Sequence, residues 1–410
     1  MLFEFDAFSV DTERLELSKD GRPVKIEPLV FSVLAHLIEN RHLVVSKDGL
    51  IKALWDGRFV SDAAVSSTVK AARQAIGDDG KTQKYIRTLH GRGFRFVGEV
   101  TGKGEYTPAS GAPQAAANEN DADADPGIDQ DIRFCSTSDG VSLATSITGI
   151  GLPVVKVATW MSHIEYDWES PIWSHILRTL SRETMLIRYD ERGNGLSDWD
   201  VDEISFDKFV SDLETVIDAS GVEQVVLFGL SQGVAIACEY AARHPDRVLG
   251  LVLYGGYCRG WKNRNDPKTE AQTYALLELA RHGWGADNPA FRQVFTSLFV
   301  PDATREQADW FNELQKISTT SENAVRIDNA LGEVNICDRL SKVTAPALVM
   351  HCRDDAVIPY EEGRRVAKLL PNSKFVSLDG RNHIPLETEP AWFRFIAEFH
   401  MFLNSVKQCG

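Results

Sequence analysis

The 410-residue sequence predicts an α/β fold, a mostly parallel sheet covered by helices, preceded by a small α+β domain. Three observations carry this. From Ile132 onward, short apolar runs alternate with longer stretches of helical spacing. Residues 1–100 instead combine brief alternating strands with three amphipathic helical segments. Between them, Thr101 to Asp131 reads "TGKGEYTPASGAPQAAANENDADADPGIDQD", rich in Ala, Gly, Pro and acid. Such a stretch cannot bury enough apolar area to offset its ordering entropy, so it is expected to be a flexible, self-repelling linker. The expected division is 1–100, a linker at 101–131, and a large domain at 132–405.

Hydrophobic residues make up 43% of the chain and charged ones 25%, enough for one large core and a smaller one. No apolar run approaches the ~20 residues of a membrane span. The opening "MLFEFDAFSVDTERLELSKD" has neither a basic head nor a cleavable apolar core, so a cytoplasmic protein with no membrane partner is expected. Six cysteines occur without a Cys-x-x-Cys pair, which points to reduced thiols. The histidines, including His351 beside Cys352, lack metal-ligand spacing, and no metal or cofactor is expected. The net charge of −15 is unevenly spread. Residues 1–100 hold 15 Lys+Arg against 14 Asp+Glu, and the remaining 310 hold 29 against 45. Nucleic-acid binding would therefore have to rest on a localised basic face.

The small domain opens with alternating stretches around an Asp20-Gly21 turn, which suits an antiparallel sheet. In "PLVFSVLAHLIEN", Pro28 stands at a first helical position, and Leu29, Val30, Val33, Leu34, Leu37 and Ile38 form the apolar stripe. "SKDGLIKALW" follows, with Ser46 as N-cap. In the third helix, "SDAAVSSTVKAARQAIGDD", an apolar stripe of Val65, Val69, Ala72 and Ile76 leaves Ser66, Ser67, Lys70, Arg73 and Gln74 on the other faces. "YIRTL" and "FRFV" then flank His90-Gly91-Arg92-Gly93, a hairpin tipped by arginine.

A basic helix after a helix and turn, with an arginine-tipped hairpin, is a shape that can enter a major groove and reach the adjacent minor groove. Through Leu50–Trp55, Val65–Gly77 and "IRTLHGRGFRF", residues 1 to about 100 resemble the OmpR/PhoB-type winged-helix family. The resemblance implies double-stranded DNA as a partner. It puts Ser66, Lys70, Arg73 and Gln74 at bases or phosphates from the recognition helix, and Arg87, Thr88 and Arg92 from the wing. It also implies head-to-tail binding on direct repeats, hence a homodimer on half-sites about one helical turn apart.

In the large domain the strands are expected at "VVKVA", "TMLIRY", "QVVLFG", "VLGLVLY", "ALVMH" and "KFVSL". Gly229-Leu230-Ser231-Gln232-Gly233 follows the third of these and precedes a helix, the strand-to-helix setting in which a Gly-x-Ser-x-Gly turn exposes a serine. A serine hydroxyl needs a histidine base and a carboxylate to orient it. His383 lies in "DGRNHIPLETEP" after one strand, and Asp354 and Asp355 in "HCRDDAVIPY" after another. Singly these could be a common turn, a helix cap and a core histidine; together they stand in order at strand ends.

With "YDERGNGLSD" at Tyr189–Asp198, residues 132–405 resemble the α/β-hydrolase superfamily. There the acid stands four residues before the proline, which favours Asp355. The resemblance also implies a helical cap, placed at about 258–342, and an oxyanion hole made by the backbone N–H groups of Gln232 and Trp160. At Trp160 the usual His-Gly-x turn is replaced by Ala158-Thr159-Trp160, so slow turnover is expected. Trp160, His163, Trp168 and Trp284 are expected to line a pocket for a small apolar or aromatic ligand. Two functions follow: a DNA-binding transcriptional regulator that senses, and slowly processes, such a ligand, or chiefly a serine esterase with an accessory DNA-binding domain.

Overall fold

The computed structural model describes residues 2–12, 14–41, 45, 50, 53–54, 62–78, 83–89, 93–98, 100 and 130–409. The chain divides into two compact units, Met1–Asn120 and Asp121–Gly410. The expected linker up to residue 129, the N-cap Ser46 with most of the helix after it, and the wing tip at Arg92 lie outside the described residues; Leu50, Ala53 and Leu54 of that segment are helical.

In the first unit, β1 (Leu2–Phe5), β2 (Phe8–Asp11), β3 (Glu16–Lys19) and β4 (Arg22–Val24) form an antiparallel meander. The β3–β4 loop has φ of 50° at Asp20 and 72° at Gly21, the two left-handed residues that match the twist of a tight hairpin. In α1 (Pro28–Glu39) the expected stripe is buried except for Leu29, which is 36% exposed; Phe31 is buried instead. Val65, Val69 and Ala72 of α2 (Asp62–Ala75) and Ile76 just beyond it are fully buried. The wing pairs β5 (Ile86–Leu89) with β6 (Gly93–Phe96). Asp78 fixes the wing's start by accepting the N–H groups of Lys84, Tyr85 and Ile86 at 2.7–2.9 Å.

The second unit opens with β7 (Asp131–Ser136), β8 (Ser142–Thr148) and β9 (Leu152–Lys156). Then come α3 (Ile164–Trp168), α4 (Ser174–Glu183), β10 (Thr184–Tyr189), α5 (Phe206–Ala219), β11 (Val225–Leu230), α6 (Gln232–Arg243) and β12 (Val248–Tyr254). Four helices intervene before the next strand: α7 (Pro267–Gly283), α8 (Ala290–Phe299), α9 (Arg305–Ser318) and α10 (Ser321–Gly332). The chain closes with β13 (Ala347–Cys352), α11 (Tyr360–Leu369), β14 (Ser373–Leu378) and α12 (Pro390–Cys409).

The sheet order is β14-β13-β12-β11-β9-β10-β8-β7. The six strands read from the sequence, β9 to β14, pair parallel throughout, and their buried runs are covered on both faces. The antiparallel pair β7–β8, which the sequence reading did not place, extends one edge. Its polar, weakly apolar strands carry little of the signal that marks the interior ones. Beneath the central strands, Phe228, Tyr254, Trp392, Phe395 and Phe399 stack around α12 at ring separations of 5.6–6.3 Å. Phe395 is fully buried at the centre of this group. Phe395→Ala is expected to destabilise the second unit by about 3–5 kcal/mol in chemical denaturation, with the cap helices still present by circular dichroism.

Candidate active site

Two missing side chains build the turn that carries Ser231. β11 ends at Leu230 and α6 begins at Gln232, so Ser231 alone redirects the chain, at φ 55° and ψ −121°. A left-handed backbone of this kind costs a non-glycine residue about 1–3 kcal/mol. The flanking glycines serve close approach. A Cβ on Gly229 would stand 2.5 Å from the carbonyl oxygen of Gly233, and one on Gly256 2.2 Å from Val234 and 2.5 Å from the carbonyl oxygen of Ser231. The strain thus falls on the serine itself, and its N–H is pinned to the carbonyl of Tyr254 at 2.9 Å.

Asp355 sits in the turn after β13, where its Oδ1 accepts the N–H groups of Val357 and Ile358 at 2.8 and 3.0 Å. Its Oδ2 lies 2.7 Å from Nδ1 of His383, and both side chains are fully buried. Burial pushes the Asp355 carboxyl up, but the opposing charge and hydrogen bond of His383, with His351 and the Ile358 N–H behind them, hold it below the usual carboxylate range. An ionised carboxylate only accepts, so Nδ1 donates, and in the neutral ring this tautomer puts the lone pair that a base needs on Nε2. That Nε2 is buried without a hydrogen-bond partner, and His383 and Ser231 line the same cavity. Asp354 is exposed. His351 supports the acid turn: its Nε2 donates to the carbonyl of Ile358 at 3.0 Å and stands 3.6 Å from Asp355.

Gln232 opens α6, so its N–H lies at the positive end of that helix, beside Ser231. Trp160 lines the same cavity, and the next residue, Met161, is left-handed at φ 65°. Behind Gln232 its side-chain amide donates to Glu191 at 2.7 Å, tying the 189–198 loop to the elbow. Burial pushes Glu191 up to about 8. Arg192 of the same loop is fully buried in a bidentate pair with Asp212 at 2.6 and 2.7 Å, and reaches Asp139 at 3.0 Å.

The cavity holds about 510 Å³ and is mainly apolar, walled by Trp160, Trp173, Leu276, Phe295, Phe299 and Phe311. Three of the expected pocket residues do not line it. Trp284 stands one layer back, stacked on Trp160 at 5.4 Å. Trp168 is buried with the guanidinium groups of Arg178 and Arg188 5.3 Å over its ring. His163 caps α3, its Nδ1 accepting the N–H of Tyr166 at 3.3 Å. Trp173 and Trp261 also line it. Phe295, Phe299 and Phe311 were not singled out in the sequence, because nothing in an amphipathic helix tells a cavity-facing phenylalanine from a core one.

On the first unit, Lys70 and Gln74 of α2 and Arg87 of the wing are exposed. Arg73 is a correction. It is only 7% exposed, with Nε and Nη2 donating to the carbonyl of Ile86 at 3.0 and 2.7 Å and Nη2 to Thr88 Oγ1 at 2.7 Å. Recognition helix and wing are thereby joined, and the half-buried Thr88 is engaged in the same link. Helical spacing contains the signal: Arg73 is four residues after Val69 and three before Ile76, on the apolar stripe. Ser66 lies in α2, and Arg92 lies outside the described residues.

Asp355→Asn is expected to slow phosphonylation of Ser231 by about 10³-fold or more while leaving the fold intact, as measured with a fluorophosphonate probe. Arg87→Ala and Lys70→Ala should each lower the salt slope of duplex binding by about 1. Arg73→Ala should instead lower the melting temperature of the first unit, with a loss of about 3 kcal/mol.

Residues 165–390 match the alpha/beta hydrolase fold family, and residues 21–96 match the C-terminal domain of transcriptional regulatory proteins. A non-heme chloroperoxidase of Streptomyces lividans is 27% identical over 267 residues, 62% of this chain and 94% of the relative. Non-heme chloroperoxidase CPO-A1 of Kitasatospora aureofaciens is 25% identical over 260 residues, 61% and 91% of the two chains. Among solved structures, an esterase from Rhodococcus sp. ECU1013 superposes with a TM-score of 0.56 at 25% identity, over 67% of this chain and 99% of its own. The chain belongs to the α/β-hydrolase family and carries, ahead of that domain, an OmpR/PhoB-type DNA-binding domain.

Proposed function

We propose that this protein is a DNA-binding transcriptional regulator whose hydrolase-fold unit takes up, and slowly hydrolyses, a small apolar or aromatic ligand. One observation carries the reading: a single chain joins a regulator-type DNA-binding domain to an apolar cavity that ends on Ser231 and the unpartnered Nε2 of His383. In the proposed chemistry, Nε2 takes the hydroxyl proton as Oγ of Ser231 attacks the ligand's carbonyl carbon, and Asp355 holds the resulting imidazolium. The N–H groups of Gln232 and Trp160 meet the oxyanion, each worth ~3 kcal/mol. His383 returns the proton to the leaving group, and water then releases the acid by the same steps. Sensing requires different affinity for two states of the unit, and cap helices above the cavity are the element whose closure a ligand would favour. The protein is proposed to act as a homodimer on half-sites about one helical turn apart.

A second reading, a serine esterase with an accessory DNA-binding domain, is favoured by the His383–Asp355 geometry and by the likeness to the Rhodococcus esterase. Two measurements separate them. Selection from random duplexes is expected to yield a preferred site; recovery of no site would end the regulator reading. A fluorophosphonate is expected to label the wild-type chain and not Ser231→Ala, with slow turnover of short-chain esters. Neither labelling nor turnover would leave a binding unit without hydrolysis.

A further inference from the structure

One wall of the cavity carries a charge that its apolar lining does not explain. Arg264 follows the 3-10 turn Trp261–Asn263 at the base of the cap and lines the cavity that holds Ser231 and His383. Its guanidinium lies 5.2 Å over the ring of Tyr257, itself a lining residue one position beyond Gly256, whose place against Ser231 was described above. Among the described residues only its Nε has a protein hydrogen bond, a long one of 3.3 Å to the carbonyl of Arg259. Among the described residues no carboxylate comes within ion-pairing distance of it.

The neighbouring acids are otherwise engaged. Glu362 pairs with Arg259 at 2.8 Å. Asp328, which also lines the cavity, accepts the indole N–H of Trp261 at 3.1 Å, and burial pushes its carboxyl up to about 6. Burial likewise holds Arg264 below its ordinary range, ahead of any help from Tyr257, Glu362 or Asp328. Guanidinium nevertheless stays protonated in proteins. When an apolar ligand displaces water from this space, the Nη donors lose their hydration with nothing in the protein to replace it, which is costly. A ligand that brings its own carboxylate removes that cost and matches the planar fork of the guanidinium.

We propose that the cavity takes an amphiphile bearing a carboxylate, which Arg264 holds while the apolar body of the ligand fills the space between cap and sheet beside Ser231. This rests on the reading of the cavity as a ligand site and narrows its ligand class from apolar to monoanionic. Arg264 is then a specificity residue that contacts ligand and takes no part in bond breaking.

The test is calorimetric titration of the full-length Ser231→Ala protein, which prevents turnover, with a matched pair of probes: 4-phenylbutyrate and 4-phenylbutanol. The carboxylate is expected to bind about 10-fold or more tightly than the alcohol, the ratio of a charge-assisted hydrogen bond. Adding Arg264→Met should erase that ratio by weakening the carboxylate without weakening the alcohol, while Arg264→Lys should retain part of it. Equal binding of the two probes would overturn the assignment and leave the cavity reading standing. So would a Met variant that weakens both alike, which would make Arg264 a packing residue. No binding of either probe, together with no fluorophosphonate labelling of the wild-type serine, would overturn the cavity reading and this assignment with it.

Discussion

The close approach of helix α6 to strand β11 is the constraint on which the hydrolase unit depends. Backbone meets backbone there because Gly229 has no side chain to hold it off the carbonyl of Gly233, Gly256 leaves room for Val234 and the Ser231 carbonyl, and the remaining conformational cost is concentrated in Ser231. A parallel strand buried on both faces is stiff enough to bear that strain, which an isolated turn is not. Everything chemical in the unit is then placed by the same sheet. β13 delivers Asp355 and β14 delivers His383 at neighbouring strand ends, so these two pair directly, and His383 lines the same cavity as Ser231.

Burial governs the electrostatics of the site. In water an aspartate and a histidine would gain little from each other; here both are removed from solvent, and the carboxylate is kept ionised by the imidazole and by two backbone N–H groups. The same low dielectric makes the loop at 189–198 costly unless its charges are paired. Arg192 is therefore locked to Asp212 and Asp139, and the loop in turn steadies Gln232 through Glu191. Arg264 departs from this pattern, a cavity-wall cation with no carboxylate of the described residues at ion-pairing distance.

The first unit solves a different problem with a related device. A small domain has little core, and α2 must hold a fixed angle to the wing if both are to meet one duplex. Arg73 ties the two together by bonding the backbone and the hydroxyl of β5, while Lys70, Gln74 and Arg87 are exposed. Polarity in the sequence suggested a surface residue; position on the helical stripe decided otherwise.

The sequence by itself determined the six parallel strands, the strand-to-helix serine turn and the helical character of the cap, because burial on two faces and helical periodicity leave their marks within a window of a few residues. It also determined the stripes of α1 and α2, one position of the first excepted. Only the tertiary structure decided which aromatic residues face the cavity. Trp284 and Trp168 are as apolar as Trp160, and whether a ring lines space or packs behind another ring depends on helices that meet long after their own sequences end. The edge pair β7–β8 was likewise settled by pairing partners rather than by pattern, and the unpaired guanidinium of Arg264 became visible only when the cavity closed around it.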